Sequence, residues 1–104
     1  MTGLWALDPT FRPWAQWLLD VARYNGLTVE VTSTRRTRAE QEGLYQAALA
    51  GRSRYPVARP GTSQHERGLA LDLRASSGVL EALGGVWRSV GGTWGPSDPI
   101  HFGA

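Results

Sequence analysis

The sequence predicts an α+β domain in which helices flank a small antiparallel sheet. Three observations lead there. Apolar residues fall at helical spacing from Phe11 to Tyr24, a capping signature opens a second helix at Thr37, and two runs, Leu27–Ser33 and Gly68–Leu73, alternate with period two. A chain of 104 residues fits one compact domain, 1–104, and is too short for two.

The elements follow in order. In the first helix Phe11, Trp14, Ala15, Leu18, Val21 and Ala22 share a face, with Trp17 beside them. Asp8 or Thr10 can cap it, Pro13 is tolerated in its first turn, and Asn25-Gly26 accept the left-handed geometry that ends it. Leu27–Ser33 reads as a half-buried strand. Thr37-Arg38-Ala39-Glu40 matches a capping box, so a helix should run to about Ala50 and stop at Gly51, with Ala39, Leu44, Ala47 and Ala48 turned inward. Residues 52–64 read as an exposed loop whose Arg52, Arg54 and Arg59 are solvated or, alternatively, touch substrate. In the run ending at Leu73, Leu69, Leu71 and Leu73 face one way, Ala70 and Asp72 the other. A short helix interrupted by Gly84-Gly85 is expected in Ser77–Val90, then two short strands at Thr93-Trp94-Gly95 and Pro99–Phe102.

Composition excludes several function classes. The chain has no Cys, so disulfides and thiolate metal sites are ruled out. No run approaches the roughly 18 apolar residues of a membrane span, and no basic segment precedes an apolar stretch as in a secretory signal. The net charge is only +2, and the eleven basic residues, all Arg, are scattered. Nucleic-acid binding is therefore not expected, whereas Arg forks would suit an acidic substrate. A monomer is expected.

Chemistry concentrates around the chain's two histidines. Asp72 sits on an otherwise apolar strand and must face solvent or a polar partner. Seven extended residues would put His65 and Asp72 roughly 23 Å apart, so they can share an ion only if the chain turns between them, where Gly68 stands. A surface His and an exposed strand Asp remain the alternative at this point. In Asp98-Pro99-Ile100-His101-Phe102, alternation separates His101 from Ile100 and Phe102, and Pro99 holds Asp98 extended. Two His and one Asp can fill three positions of tetrahedral zinc and leave the fourth to water, with Asp98 as proton acceptor. A Ser63–His65–Asp72 triad is disfavoured, because two residues of separation make a productive Ser–His pair awkward.

The pattern S-x-H-x-x-G-x-A-x-D (Ser63, His65, Gly68, Ala70, Asp72), followed by W-G-x-x-D-P-x-H-F (Trp94, Gly95, Asp98, Pro99, His101, Phe102), resembles the zinc D-alanyl-D-alanine carboxypeptidase (VanY-like) family. Within that group it is similar in pattern to phage endolysins that cleave the L-alanyl-D-glutamate bond. Upstream, Ser33–Thr37 with Glu40-Gln41 and Leu44-Tyr45 resembles the family's S-G-Y-R-S…Q segment. The resemblance covers residues 27–102 and implies a hedgehog/DD-peptidase-like zinc fold, a peptidoglycan stem-peptide substrate and one Zn2+ held by His65, Asp72 and His101. It further implies Asp98 as general base, Arg36 as the oxyanion-stabilising catalytic group, and Ser63, Gln41 and Arg35 at the substrate. Thr34 and Arg35 replace the family's glycine and aromatic, so Arg35 stands as the alternative to Arg36. Because Asp rather than Glu precedes His101, the domain is minimal and no signal is evident, L-alanyl-D-glutamate endopeptidase activity is the expected reaction, with release by a phage or virion route. D-alanyl-D-alanine carboxypeptidase activity is the alternative, and a non-catalytic wall-binding module with structural zinc is the alternative of another class.

Overall fold

The computed structural model describes residues 2–104. Among them are helices α1 (Arg12–Tyr24), α2 (Arg38–Leu49) and α3 (Ser77–Ser89), and strands β1 (Glu30–Ser33), β2 (Ala70–Arg74) and β3 (His101–Gly103). Short 3-10 turns cover Leu4–Ala6 and Gln64–Arg67. The strands form one antiparallel sheet in the order β1-β2-β3. Its register decides the site, because Asp72 lies directly opposite His101 and Leu71 opposite Phe102.

Alternation along β2 and β3 sorts the two faces. Leu71, Leu73 and Phe102 point into a core completed by Phe11, Ala15, Leu18 and Ala22 near and along α1 and by Leu80, Leu83 and Trp87 of α3. Asp72 and His101 occupy the other face. Ala70 and Asp72 are nevertheless buried like the leucines, so β2 is covered on both sides rather than half-buried as its alternation suggests.

Several sequence expectations need correction. Only Glu30–Ser33 of the first strand pairs, because β2 ends at Arg74, the partner of Glu30, and leaves residues 27–29 no strand to pair with. Leu27 and Val29 still pack against the core. Trp14 is half exposed rather than inward. Asp8 caps a tight turn through Thr10, and Phe11, not Asp8 or Thr10, is the N-cap of α1. In α2 the Thr37–Glu40 capping box is present, but Ala39 and Leu44 are exposed and Ala47 and Ala48 only partly covered. The buried residue of α2 is Gln41. This helix leans on the site through a polar group, and no apolar stripe docks it.

Gly84-Gly85 does not interrupt α3. A Cβ at Gly84 would lie 2.2 Å from the Trp94 ring, so this glycine admits an aromatic neighbour and leaves the helix intact. The Thr93 strand shrinks to a single bridge with Gly103. Trp94 instead packs beside Phe102 and donates its indole N–H to the carbonyl of Pro99 at 2.8 Å. From α3, Trp87 donates to the Gly103 carbonyl at 2.8 Å, and Arg88 donates to Trp94 O while lying over its ring. The segment carrying Asp98 and His101 is thereby tied to α3.

Gly68 makes the turn that the His65–Asp72 spacing demands. Its φ is +71°, and a Cβ there would meet the backbone N of Asp8 at 2.7 Å. Left-handed geometry in a residue with a Cβ costs about 1–2 kcal/mol, and the rigid backbone clash adds to that. Gly68→Ala should therefore lose more than about 2 kcal/mol of stability, measured by chemical denaturation of the metal-free protein. A loss below about 0.5 kcal/mol, the scale of an ordinary surface change, would show that the turn adapts.

Candidate metal centre and substrate cavity

His65, Asp72 and His101 each offer a ligand atom, and these atoms lie within 4.8 Å of one another. Three separate local structures deliver them. Ser63, buried, caps the 3-10 turn by accepting the backbone N–H of His65 at 3.2 Å. The turn ends at Gly68, and β2 then presents Asp72 four residues later to its cross-strand partner His101.

The hydrogen bonds orient both rings. His65 Nδ1 lies 2.6 Å from the Thr34 carbonyl, which can only accept, so Nδ1 carries the proton and Nε2 turns inward. That Nε2 is 3.0 Å from Asp72 Oδ1. Likewise His101 Nε2 is 3.2 Å from Gln64 Oε1, and Nδ1 faces Asp72 Oδ1 at 3.5 Å. Two ring nitrogens thus converge on one carboxylate oxygen with their other nitrogens already engaged. Such an arrangement calls for positive charge in the middle, supplied by ring protons or by a cation. Nitrogen, nitrogen and carboxylate oxygen are the donor types zinc accepts, and outer partners on the far nitrogens are usual for ligating histidines. The residues present therefore fit a zinc ion.

Arg36 stands over the other carboxylate oxygen, donating to Asp72 Oδ2 at 2.7 Å. Burial alone would raise the Asp72 carboxyl. Hydrogen bonds from His101 and His65 and the charges of His65 and Arg36 outweigh it and hold the group well below the usual carboxylate range. Arg36 also donates to Gln41 Oε1 at 3.3 Å, and Gln41 donates to Ala58 O at 2.8 Å. Gln41 therefore joins α2 to the loop that walls the site.

A cavity of about 550 Å³ opens over these groups. Arg36, Gln41 and Ser63 line it, as does Asp98, and Tyr55, Pro56 and Val57 form an apolar wall. Desolvation raises the Asp98 carboxyl above its ordinary value, and the neighbouring Asp72 charge adds to this, against the opposing pull of His101, His65 and Arg36. Arg35, offered from sequence as a substrate contact, is exposed and borders a different depression with Trp5 and Arg38. Arg36 borders that depression too, but its guanidinium also reaches into the cavity, to Asp72. Arg52, Arg54 and Arg59 are exposed and do not line the cavity; Arg54 lies over the Tyr55 ring. Sequence reasoning missed Gln64, the acceptor on His101; its place beside His65 was the available signal.

Removing Arg36 leaves a buried carboxylate short of a charged donor, a bond class worth about 1.5–3 kcal/mol. Arg36→Ala should lower the stability of the metal-free protein by about 2 kcal/mol, and Arg35→Ala by clearly less, in parallel denaturation curves. Equal losses would refute the distinction.

Comparison with known proteins agrees with this geometry. The family VanY, D-alanyl-D-alanine carboxypeptidase, matches residues 6–89, a span that includes Arg36, His65 and Asp72 and ends before Asp98 and His101. No curated protein sequence matches the chain. Among solved structures, VanYB in complex with D-alanine-D-alanine superposes with a TM-score of 0.75 at 26% identity, covering 93% of this chain and 70% of that one. A mutant of the vancomycin-resistance D,D-pentapeptidase VanY from a VanB-type cassette, in complex with Zn(II), gives 0.73 at 27% identity, covering 93% and 71%. The LD-carboxypeptidase LdcB shares the fold, with a TM-score of 0.72 at 22% identity over 93% of this chain and 64% of that one. With most of its length matched and the same fold throughout, the chain belongs to the VanY D-alanyl-D-alanine carboxypeptidase family.

Proposed function

We propose that this chain is a zinc-dependent D,D-carboxypeptidase that removes the terminal D-alanine of peptidoglycan stem peptides. The observation that carries the reading is the convergence of His65, Asp72 and His101 on one cavity that Asp98 and Arg36 also line. His65, Asp72 and His101 would hold one zinc ion. When bound, zinc supplies Lewis acidity that lowers the pKa of water and polarises a carbonyl. VanYB, whose structure holds D-alanine-D-alanine, supports carboxypeptidase over endopeptidase activity.

The chain's own residues supply the rest of the chemistry. Asp98 accepts the proton of the attacking water and passes it to the departing amine, a task favoured by its raised carboxyl. Arg36 keeps Asp72 ionised and in place through one N–H, and its remaining donors stabilise the charge that develops on the scissile carbonyl oxygen. Gln41 steadies the Arg36 guanidinium by accepting one of its N–H groups, and Ser63 braces the His65 turn. The wall of Tyr55, Pro56 and Val57 suits the methyl groups of a D-alanyl terminus.

Endopeptidase cleavage between L-alanine and D-glutamate is the second reading, and one feature favours it: Asp98 stands where the vancomycin-resistance dipeptidase pattern has Glu. The comparisons support it less well, and neither the phage origin nor the release route has support beyond the sequence. Both readings are separated by weighing the products from a pentapeptide-bearing muropeptide. Loss of one D-alanine, abolished by chelation and restored by zinc, is expected. Cleavage at L-alanyl-D-glutamate with the D-alanyl terminus intact would make the protein an endopeptidase.

Asp98→Asn should retain zinc and the fold yet fall at least about 100-fold in turnover, the scale of general acid–base catalysis. Elemental analysis and steady-state rates on the same preparation check this. Near-normal turnover would assign the proton transfer to another group.

A further inference from the structure

The geometry points to Gln64 as a positioning residue for His101, one that can act only because position 103 is glycine. Gln64 opens the 3-10 turn just before His65, and its side chain crosses to the last strand. There its Oε1 lies 3.2 Å from His101 Nε2, and its Nε2 lies 3.4 Å from the Ala104 carbonyl. The pairing with a carbonyl orients the amide, because only its NH2 end can donate. Its oxygen is then left for the imidazole, so His101 must carry its hydrogen on Nε2 and keep Nδ1 bare toward Asp72 Oδ1.

The anchor matters more for this ring than for its partner. The His65 side chain is 2% exposed and held by a backbone carbonyl, whereas that of His101 is 25% exposed. Water can reach the His101 ring and compete for its nitrogens, so without a fixed acceptor both tautomers become available.

Gly103 makes the room. A Cβ at that position would lie 2.1 Å from Gln64 Oε1 and 3.1 Å from His101 Nε2. Its φ is not among the positive ones, so the backbone does not require glycine there; the space does. Its N–H and carbonyl pair with Thr93, and the carbonyl also accepts the Trp87 indole. A methyl group leaves those bonds in place. The amide it strikes is the tip of a flexible side chain, which swings away and releases His101 while the fold holds.

The inference rests on the reading of His101 as a zinc ligand, and its test separates the two. Wild type, Gln64→Leu, Gln64→Glu and Gly103→Ala are compared after circular dichroism has matched their folds. The 15N shifts of the His101 ring are recorded in metal-free protein at a pH of about 8.5, above the ordinary histidine range. Zinc affinity is measured by competition with a chromogenic chelator. Wild type should show the Nε2–H tautomer alone. Gln64→Leu should mix the tautomers and bind zinc about 10–100-fold more weakly, the scale of lost outer partners. Gln64→Glu keeps an acceptor and should restore both readings to within about 3-fold, well inside that scale. Gly103→Ala should match Gln64→Leu and add nothing to it in the double variant. A single Nε2–H tautomer in Gln64→Leu, or unchanged zinc affinity there, overturns the inference. If wild type takes up no zinc, the metal reading fails, and the tautomer shift alone decides the Gln64 bond.

Discussion

A carboxylate buried on a sheet face is the constraint around which this molecule is built. Taking one such ion out of water costs several kcal/mol even after relaxation, and Asp72 recovers that cost only through Arg36, His65 and His101 acting together. Each partner comes from a different segment. The strand β1 leads into the stretch that holds Thr34 and Arg36, the 3-10 turn carries His65, and β3 carries His101. The segments are also bound to one another, since the Arg36 backbone N–H donates to the His65 carbonyl. The same assembly that makes the acid tolerable forms a pocket of donors for a cation.

The two faces of the sheet divide the labour. One is an apolar plane clasped between α1 and α3, where Trp87 meets Phe11 and Phe102 edge to face. Rigidity there is transmitted through β2 and β3, whose alternation places the polar side chains a single residue away from the packed ones. On the far face α2 contributes little apolar contact and a great deal of positioning, through Gln41 to Arg36 and to the carbonyl of Ala58.

The legible part of the site was the part written in spacing. Gly68 between His65 and Asp72, and Pro99 before His101, are local requirements that a single sequence displays, and the expected turn and strands followed. What stayed hidden depends on contacts between distant segments. Gln41 looks like a surface residue on a helix whose alanines and leucine suggest an inward stripe, because nothing local reveals that the walling loop supplies its acceptor. Gln64 and Gly103 are 39 positions apart, and their dependence exists only after β3 has paired. Gly84-Gly85 looked like a break, since the Trp94 ring that fills the space above Gly84 arrives only after α3 has ended and the chain has turned back. That the Arg36 guanidinium reaches Asp72 likewise depends on the chain's path after β1, which no local signal reveals.

The strand β3 is only three residues long, yet His101 lies on it and Asp98 in the turn leading to it. A strand this short can open locally at less than the cost of global unfolding, although its withdrawal lifts Phe102 out of the core. One such event would withdraw His101 and Asp98 from the cavity together. Asp72 of β2 and His101 of β3, were they to hold an ion, would resist the opening by mass action, with an effect that grows as the logarithm of the free ion concentration over the dissociation constant. Metal supply would then set the lifetime of the closed strand as well as the occupancy of the site.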